Sequence, residues 1–284
     1  MKKIVVTGSG SFLGTRFCRC FQDKYTIIPF TRQQLDVCSG QQVLDTIRDC
    51  RPDLIFHLAA LTSTEYCNAH REDTEAINVG GTEHIIAAAE AVNAKILFAG
   101  SEQVFNGNQN AGPYSEQDTP VPNTAYGESK LKAEKLLDAS VVPHWTLRFT
   151  WLFGTPEHQL KINSNILWSA VSAAMQNKPI HANTNEFRGY TYCYDLIKAI
   201  ENVFDLPYGT YNLGSTTELS RYDFLRVVFE LCGMSGRFND IVVPEERAVR
   251  DLRIDMHKIK SCGIDLGSSE QAIERCIRQD LPLL

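Results

Sequence analysis

Two residues four positions apart, Tyr126 and Lys130, carry groups whose chemistry can be coupled. They bound the stretch Tyr126-Gly127-Glu128-Ser129-Lys130, which runs on into Leu131-Lys132-Ala133-Glu134-Lys135-Leu136-Leu137, a strong helical pattern. Asn123 or Thr124 can cap its start. Residues four apart share a helix face. A phenol titrates at about pH 10 and is a poor acid–base group at neutrality. An ammonium held close stabilises the phenolate and brings that pKa toward the working range. Gly127 leaves space beside the phenol. The same spacing also occurs in snorkelled pairs on solvated helix faces, so the pair alone does not decide.

The second informative stretch lies near the start. Ile4-Val5-Val6 reads as a buried strand, and Gly8-Ser9-Gly10-Ser11-Phe12-Leu13-Gly14 follows it, leading into a helical pattern from Thr15 to Asp23. Strand, glycine loop and helix form the context of a dinucleotide fingerprint. Free N–H groups and the positive dipole end of the helix suit a pyrophosphate. Ser11 stands where the common pattern has its middle glycine. A strand-to-helix turn without a ligand is the alternative. The next strand, Tyr25 to Phe30, ends in Thr31-Arg32 rather than in a carboxylate. An acid there would bind a ribose 2′-hydroxyl, whereas Arg32 can hold a 2′-phosphate, which favours NADP(H), with NAD(H) as the alternative. An exposed loop arginine would look the same.

The elements that must position these groups alternate. Ser39 caps a helix through Cys50, and Leu54 to Leu58 is a strand leading into Ala59, Ala60 and Thr62, small residues past which a cofactor can lie. Glu75 to Val92 reads as one helix, and Lys95 to Ala99 is a strand that delivers Ser101-Glu102-Gln103 to its carboxyl end, where open α/β sheets bind ligands. Ser101 is otherwise an ordinary turn residue. A loop rich in Asn, Gly and Pro spans 106–124, the Tyr126 helix follows, and His144 to Phe149 is a strand. The pattern is that of an α/β protein, a Rossmann-type doubly wound parallel sheet. After Gly154 the alternation loosens into a smaller mixed α/β C-terminal substrate domain. The expected division is 1–153, with a return at about 190–213, against 154–189 and 214–284.

The composition excludes other classes. The chain has 284 residues, 43% apolar and 22% charged, as an ordinary globular protein does. A net charge of −6 offers nothing to a nucleic acid. No segment approaches the length of a membrane span, and the apolar run after Lys3 is too short for a signal peptide. Nine cysteines without a CxxC pair, and seven scattered histidines, point to free thiols in a reducing cytoplasm and to no metal site.

The motifs together resemble the extended short-chain dehydrogenase/reductases, most closely the dTDP-4-dehydrorhamnose reductase-like group. The matching pieces are Thr7-Gly8 with Gly14, Arg32 with Leu35-Asp36-Val37, Arg51-Pro52-Asp53-Leu54-Ile55 with Ala59-Ala60, and Asn78-Val79 with Gly81-Thr82. They continue through Ser101-Glu102-Gln103-Val104-Phe105, Pro113-Tyr114-Ser115-Glu116, Tyr126 to Lys130, and Leu147-Arg148-Phe149-Thr150-Trp151. The resemblance covers nearly the whole chain, is firm to about residue 200, and weakens after 215.

The resemblance implies a catalytic triad of Ser101, Tyr126 and Lys130. Tyr126 would pass a proton to a keto oxygen as hydride arrives at its carbon. Lys130 would hold the nicotinamide ribose, and Ser101 would bond the developing alkoxide. The implied cofactor set is Gly8, Ser11, Phe12, Leu13, Gly14, Arg32, Asp36, Val37, Ala59, Ala60 and Thr62, together with Tyr126 and Lys130. Trp151 matches a tryptophan that lines the sugar site, beside Glu102 and Gln103. Arg148, Asn165 and Arg188 are further candidates for sugar or phosphate contacts. Glu102-Gln103 replaces the Asp-Tyr typical of the rhamnose enzymes, which leaves the sugar open. The expected function is NAD(P)H-dependent reduction of a nucleotide-linked 4-keto-6-deoxy sugar. The expected partners are the nucleotide sugar and a second copy in a homodimer. Two rivals stand beside it: a NAD-dependent nucleotide-sugar epimerase or dehydratase, and a non-catalytic NADP-binding regulatory subunit resembling that of methionine adenosyltransferase.

Overall fold

The computed structural model describes residues 1–280. It divides into two compact units. Unit 1 comprises 1–109, 119–148 and 205–211, and unit 2 comprises 110–118, 149–204 and 212–284.

Unit 1 begins β1 (Lys3–Thr7), α1 (Phe12–Phe21), β2 (Thr26–Phe30), α2 (Gly40–Cys50) and β3 (Leu54–His57). Two short helices, α3 (Thr64–Ala69) and α4 (Arg71–Thr74), lead into a π-helical turn at Glu75–Gly80 and then α5 (Gly81–Val92). β4 (Lys95–Ser101), a 3-10 turn (Glu102–Phe105), α6 (Ala125–Ala139) and β5 (His144–Phe149) complete the run. The central sheet has the order β10-β5-β4-β3-β1-β2, where β10 is Gly209–Leu213. β1 pairs in parallel with both β2 and β3, and β3 pairs in parallel with β4. The strand order reverses between β1 and β3. That is the switch point at which α/β sheets bind ligands beyond the carboxyl ends of the strands.

The inner strands β1 and β3 are buried on both faces, which explains the continuous apolar runs Ile4-Val5-Val6 and Leu54-Ile55-Phe56. On one face Val5, Ile55, Ile96 and Phe98 pack with Ile47, Ile85 and Leu137 from α2, α5 and α6. On the other, Phe17 of α1 meets Phe56 edge-on at 4.7 Å.

Unit 2 contains β6 (Trp151–Phe153), α7 (Ile166–Gln176), β7 (Ile180–Asn183), β8 (Glu186–Phe187), β9 (Tyr190–Tyr192) and α8 (Cys193–Val203). It continues with α9 (Arg221–Leu231), α10 (Phe238–Ile241), β11 (Val242–Glu245), β12 (Arg250–Asp251), α11 (His257–Ser261) and α12 (Ser269–Asp280). Its three small sheets pair β11 with β7, β12 with β8, and β6 with β9.

Two expectations change. Unit 2 takes in 110–118 and begins again at 149 rather than 154, and the chain returns to unit 1 only over 205–211. The reason is pairing: β6 forms its ladder with β9, so Trp151–Phe153 and Tyr190–Tyr192 both belong to unit 2. The single helix expected from Glu75 to Val92 is a π turn followed by an α-helix. A π turn holds an extra residue and rotates the side chains after it, which periodicity does not reveal.

Candidate functional site

The glycine loop is built by exclusion. Gly8 has φ +64, and a Cβ there would lie 2.7 Å from the Ala59 nitrogen. A side chain fails at Gly8 on both counts, backbone conformation and space. A Cβ on Gly14 would lie 2.7 Å from the Gly8 oxygen. Ser11, the departure from the glycine pattern, is the N-cap of α1: its Oγ accepts the Gly14 N–H at 3.0 Å. The Phe12 and Leu13 N–H groups lie in the first turn, for which a helix has no internal acceptor. They and the helix dipole suit a phosphate oxygen. Ala59 and Ala60 are half-buried beside the loop, and Thr62 is exposed. This donor set fits the pyrophosphate of a dinucleotide.

Beyond β2 the turn is closed by Gln34, whose Oε1 accepts both the Thr31 N–H and the Thr31 hydroxyl at 2.9 Å. Arg32 is exposed on this turn, and so is Asp36, whose carboxylate accepts the Cys38 N–H at 3.0 Å. Val37 is buried where Gly81 opens α5: a Cβ on Gly81 would lie 2.7 Å from Val37 Cγ2.

The end of β4 and the start of α6 carry the acid–base groups. Ser101 is buried, and its Oγ accepts the Gln103 N–H at 3.2 Å. Its own proton is left to donate. Glu102 and Gln103 follow in the 3-10 turn and are buried. Thr124 caps α6 by accepting the Gly127 N–H at 3.1 Å. A Cβ on Gly127 would meet the Gln103 oxygen at 2.5 Å, so this glycine lets α6 press onto the Ser101–Gln103 turn.

Lys130 is buried one turn along α6. Its Nζ donates to the Ala99 oxygen at 2.8 Å and lies 5.9 Å from the centre of the Tyr126 ring. Burial lowers its pKa from 10.5 to about 8, opposed by the negative charge of Glu134 and by Cys67. Burial also pushes Glu134 upward, opposed by Arg148. Arg148 grips Glu134 through Nη2 at 2.8 Å and Nε at 3.1 Å, with its guanidinium 5.1 Å from the Phe105 ring centre. The structure therefore commits Arg148 to a buried ion pair within unit 1.

Unit 2 carries a cationic and aromatic cluster. The guanidinium carbons of Arg188 and Arg221 lie 4.7 and 5.8 Å from the Trp151 ring centre. Glu186 is buried among three guanidinium groups: Arg250 at 3.3 Å, Arg188 at 3.5 Å and Arg221 at 3.7 Å. Arg221 and Arg250 escaped sequence reading because nothing in their spacing marks them. Asn165 does not join this cluster. It caps α7 by accepting the Trp168 N–H at 3.0 Å and donates to the Gly154 oxygen at 3.2 Å.

Asn78 was legible only as part of a family motif. Its Oδ1 accepts the Leu61 N–H at 2.7 Å, and its Nδ2 donates to the Leu61 oxygen at 3.0 Å and to Ser129 Oγ at 2.9 Å. Among the described residues no group of His, Cys, Asp or Glu could hold a metal ion, and no helix is long and apolar enough to cross a membrane.

A family model described as the RmlD substrate binding domain matches residues 1–278. The dTDP-4-dehydrorhamnose reductase of Escherichia coli strain K12 is 27% identical over 238 residues, 82% of this chain and 79% of that protein. The methionine adenosyltransferase 2 subunit beta of Mus musculus is 22% identical over 287 residues, 93% of this chain and 83% of that one. The structure of a dTDP-4-dehydrorhamnose reductase from Bacillus anthracis in complex with NADP superposes with a TM-score of 0.88 at 24% identity, covering 99% of this chain and 100% of that chain.

Proposed function

The chain belongs to the RmlD substrate-binding-domain family, and on that premise we propose that it is an NADPH-dependent reductase of a nucleotide-linked 4-keto-6-deoxy sugar. The observation that carries this reading is the seating of α6 on the Ser101–Gln103 turn through Gly127, with Lys130 buried beside the Tyr126 ring. Bound NADPH would supply the hydride. Tyr126 donates the proton to the keto oxygen. Lys130, as an ammonium in a dry site, stabilises the phenolate left behind. Ser101 donates its hydroxyl proton to the developing alkoxide, while its oxygen is held in place by the Gln103 N–H. The loop from Gly8 to Gly14 holds the pyrophosphate, the Ala59, Ala60 and Thr62 segment borders the cofactor, and the turn carrying Arg32, Asp36 and Val37 meets the adenosine ribose. The guanidinium groups of Arg188 and Arg221, gathered beside Trp151, support binding of a nucleotide diphosphate group. Nine free cysteines fit a reducing cytoplasm.

The likeness to the methionine adenosyltransferase subunit favours a second reading, a cofactor-binding regulatory subunit without turnover. One experiment separates them. Purified protein is given NADPH and a panel of dTDP-, UDP- and GDP-4-keto-6-deoxy sugars. The reductase oxidises NADPH in step with product. Binding of NADPH with no turnover across the panel would overturn the reductase and leave the regulatory reading.

A further inference from the structure

We propose that His57, in its Nε2–H tautomer, is a positioning residue that ties the end of β1 to the backbone of Tyr126 through a one-way chain of buried hydrogen bonds. The inference rests on the reductase reading for its consequence, but the chain itself stands on geometry. Thr7 Oγ1 lies 3.2 Å from the N–H groups of both Leu58 and Ala59 and accepts from them. Its single proton is then directed at His57 Nδ1, 2.8 Å away, so Nδ1 is the acceptor. The proton of the neutral ring sits on Nε2 and is donated to Thr82 Oγ1 at 3.2 Å. Thr82 passes its own proton to the Asn78 carbonyl at 2.7 Å. The Asn78 amide donates to Ser129 Oγ at 2.9 Å, and Ser129 donates to the Tyr126 carbonyl at 2.8 Å. Thr7, His57, Asn78, Thr82 and Ser129 are each at most 2% exposed.

Every donor in this chain meets an acceptor, and only one tautomer satisfies both threonines. A proton on Nδ1 would face the Thr7 hydroxyl with a second donor. Burial drives the His57 pKa down to about 3, helped by the nearby Lys130 charge, so the ring carries a single N–H. The π turn matters here. Asn78 uses its carbonyl toward Thr82 and its amide toward Leu61 and Ser129, two directions that the wide turn serves at once. The chain therefore joins the strand that opens the glycine loop to the residue that donates the proton. A reach error at Tyr126 is costly, because about 1 Å of misplacement can cost on the order of a hundredfold in rate.

The rival account is that His57 only fills space beside Phe98, whose ring centre lies 6.0 Å away. Three variants discriminate. His57→Phe keeps the ring and removes both nitrogens, His57→Gln keeps a donor and an acceptor, and Thr82→Val removes the next link with little change of shape. In ¹⁵N-histidine spectra of the protein, the resonance pair lost in His57→Gln is expected to show a pyridine-like Nδ1 and a pyrrole-like Nε2. The reverse assignment would overturn the chain. In turnover, His57→Phe is expected to lose about ten- to a hundredfold in kcat, with KM and NADPH affinity little changed and with partial recovery in His57→Gln. Thr82→Val is expected to show the same kcat-specific loss, and it carries the test should His57→Phe not fold. Equal activity of the Phe and Gln variants, or a loss that only follows the folded fraction, would overturn the positioning role. A wild-type protein with no turnover would instead strike the reductase reading, while the ring spectra still decide the chain.

Discussion

The carbonyl oxygen of Gln103 occupies the space where a Cβ of Gly127 would project, 2.5 Å from that atom. Two features follow from this one contact. Helix α6 can lie against the turn that holds Ser101, and Tyr126, the residue before Gly127, is carried there with it. Gln103 is named by the family comparison for its side chain, yet here its backbone sets the distance between the two halves of the acid–base apparatus.

Gly127→Ala is therefore expected to be destabilising although alanine is the better helix former. Propensity favours alanine by roughly 1 kcal/mol, while an atom forced against a backbone carbonyl costs about 1–3 kcal/mol. Urea unfolding measures the net loss, and turnover is expected to fall further than the folded fraction. A variant as stable and as active as wild type would show that α6 does not depend on this approach.

Tyr126→Phe removes only a hydroxyl. Turnover is expected to fall by about two to four orders of magnitude, the usual cost of a lost general acid. NADPH affinity should stay near wild type. Unchanged turnover would remove Tyr126 from the mechanism.

The Lys130 pKa sets a pH dependence with opposite signs for rate and stability. Its folded value is lowered from 10.5 to about 8. As pH rises through about 8, the ammonium that supports the phenolate is lost, so the rate falls on the alkaline side. Between about 8 and 10.5 the unfolded chain holds more protons at this lysine than the folded one. The Lys130 contribution to stability therefore rises with pH across that window and is unfavourable below it. A pH–rate profile beside urea midpoints at the same pH values, for wild type and Lys130→Met, tests both signs. Loss of the alkaline limb in wild type would refute the assignment.

Arg32→Ala addresses cofactor choice. The turn after β2 exposes a guanidinium suited to a 2′-phosphate. At an exposed site the bond is worth the low end of about 1.5–3 kcal/mol, roughly tenfold in affinity. NADPH should weaken by that factor and NADH hardly at all. Equal loss for both would mean stacking on the adenine, and no loss would place Arg32 outside the site.

Arg221→Gln tests the cluster in unit 2. Removing one of three guanidinium groups around Glu186 takes away one phosphate donor and leaves the carboxylate two partners. KM for the sugar nucleotide should rise about tenfold, the loss of one charge-assisted bond, with NADPH affinity unchanged. An unaltered KM would separate this cluster from substrate binding.

The sequence by itself determined the parts whose signals are local. Continuous apolar runs marked β1, β3 and β4, because strands covered on both faces show no alternation. Gly8 and Gly14 marked the loop, because no residue with a side chain fits either position. Ser39 and Thr124 marked helix starts, because a cap acts on N–H groups two or three residues on. The spacing of Tyr126 and Lys130 placed both on one helix face. Only the tertiary structure decided what depends on distant partners. Arg148 reads as a free cation until Glu134 meets it in the core, and Asn165 as a ligand until it caps α7. Glu186, Arg188, Arg221 and Arg250 converge from separate elements, and His57 reaches Tyr126 only through Thr82, Asn78 and Ser129, each more than 20 positions away along the chain. Burial is the physical reason in each case. A polar side chain taken out of water must find its partner, and where that partner lies is a property of the fold.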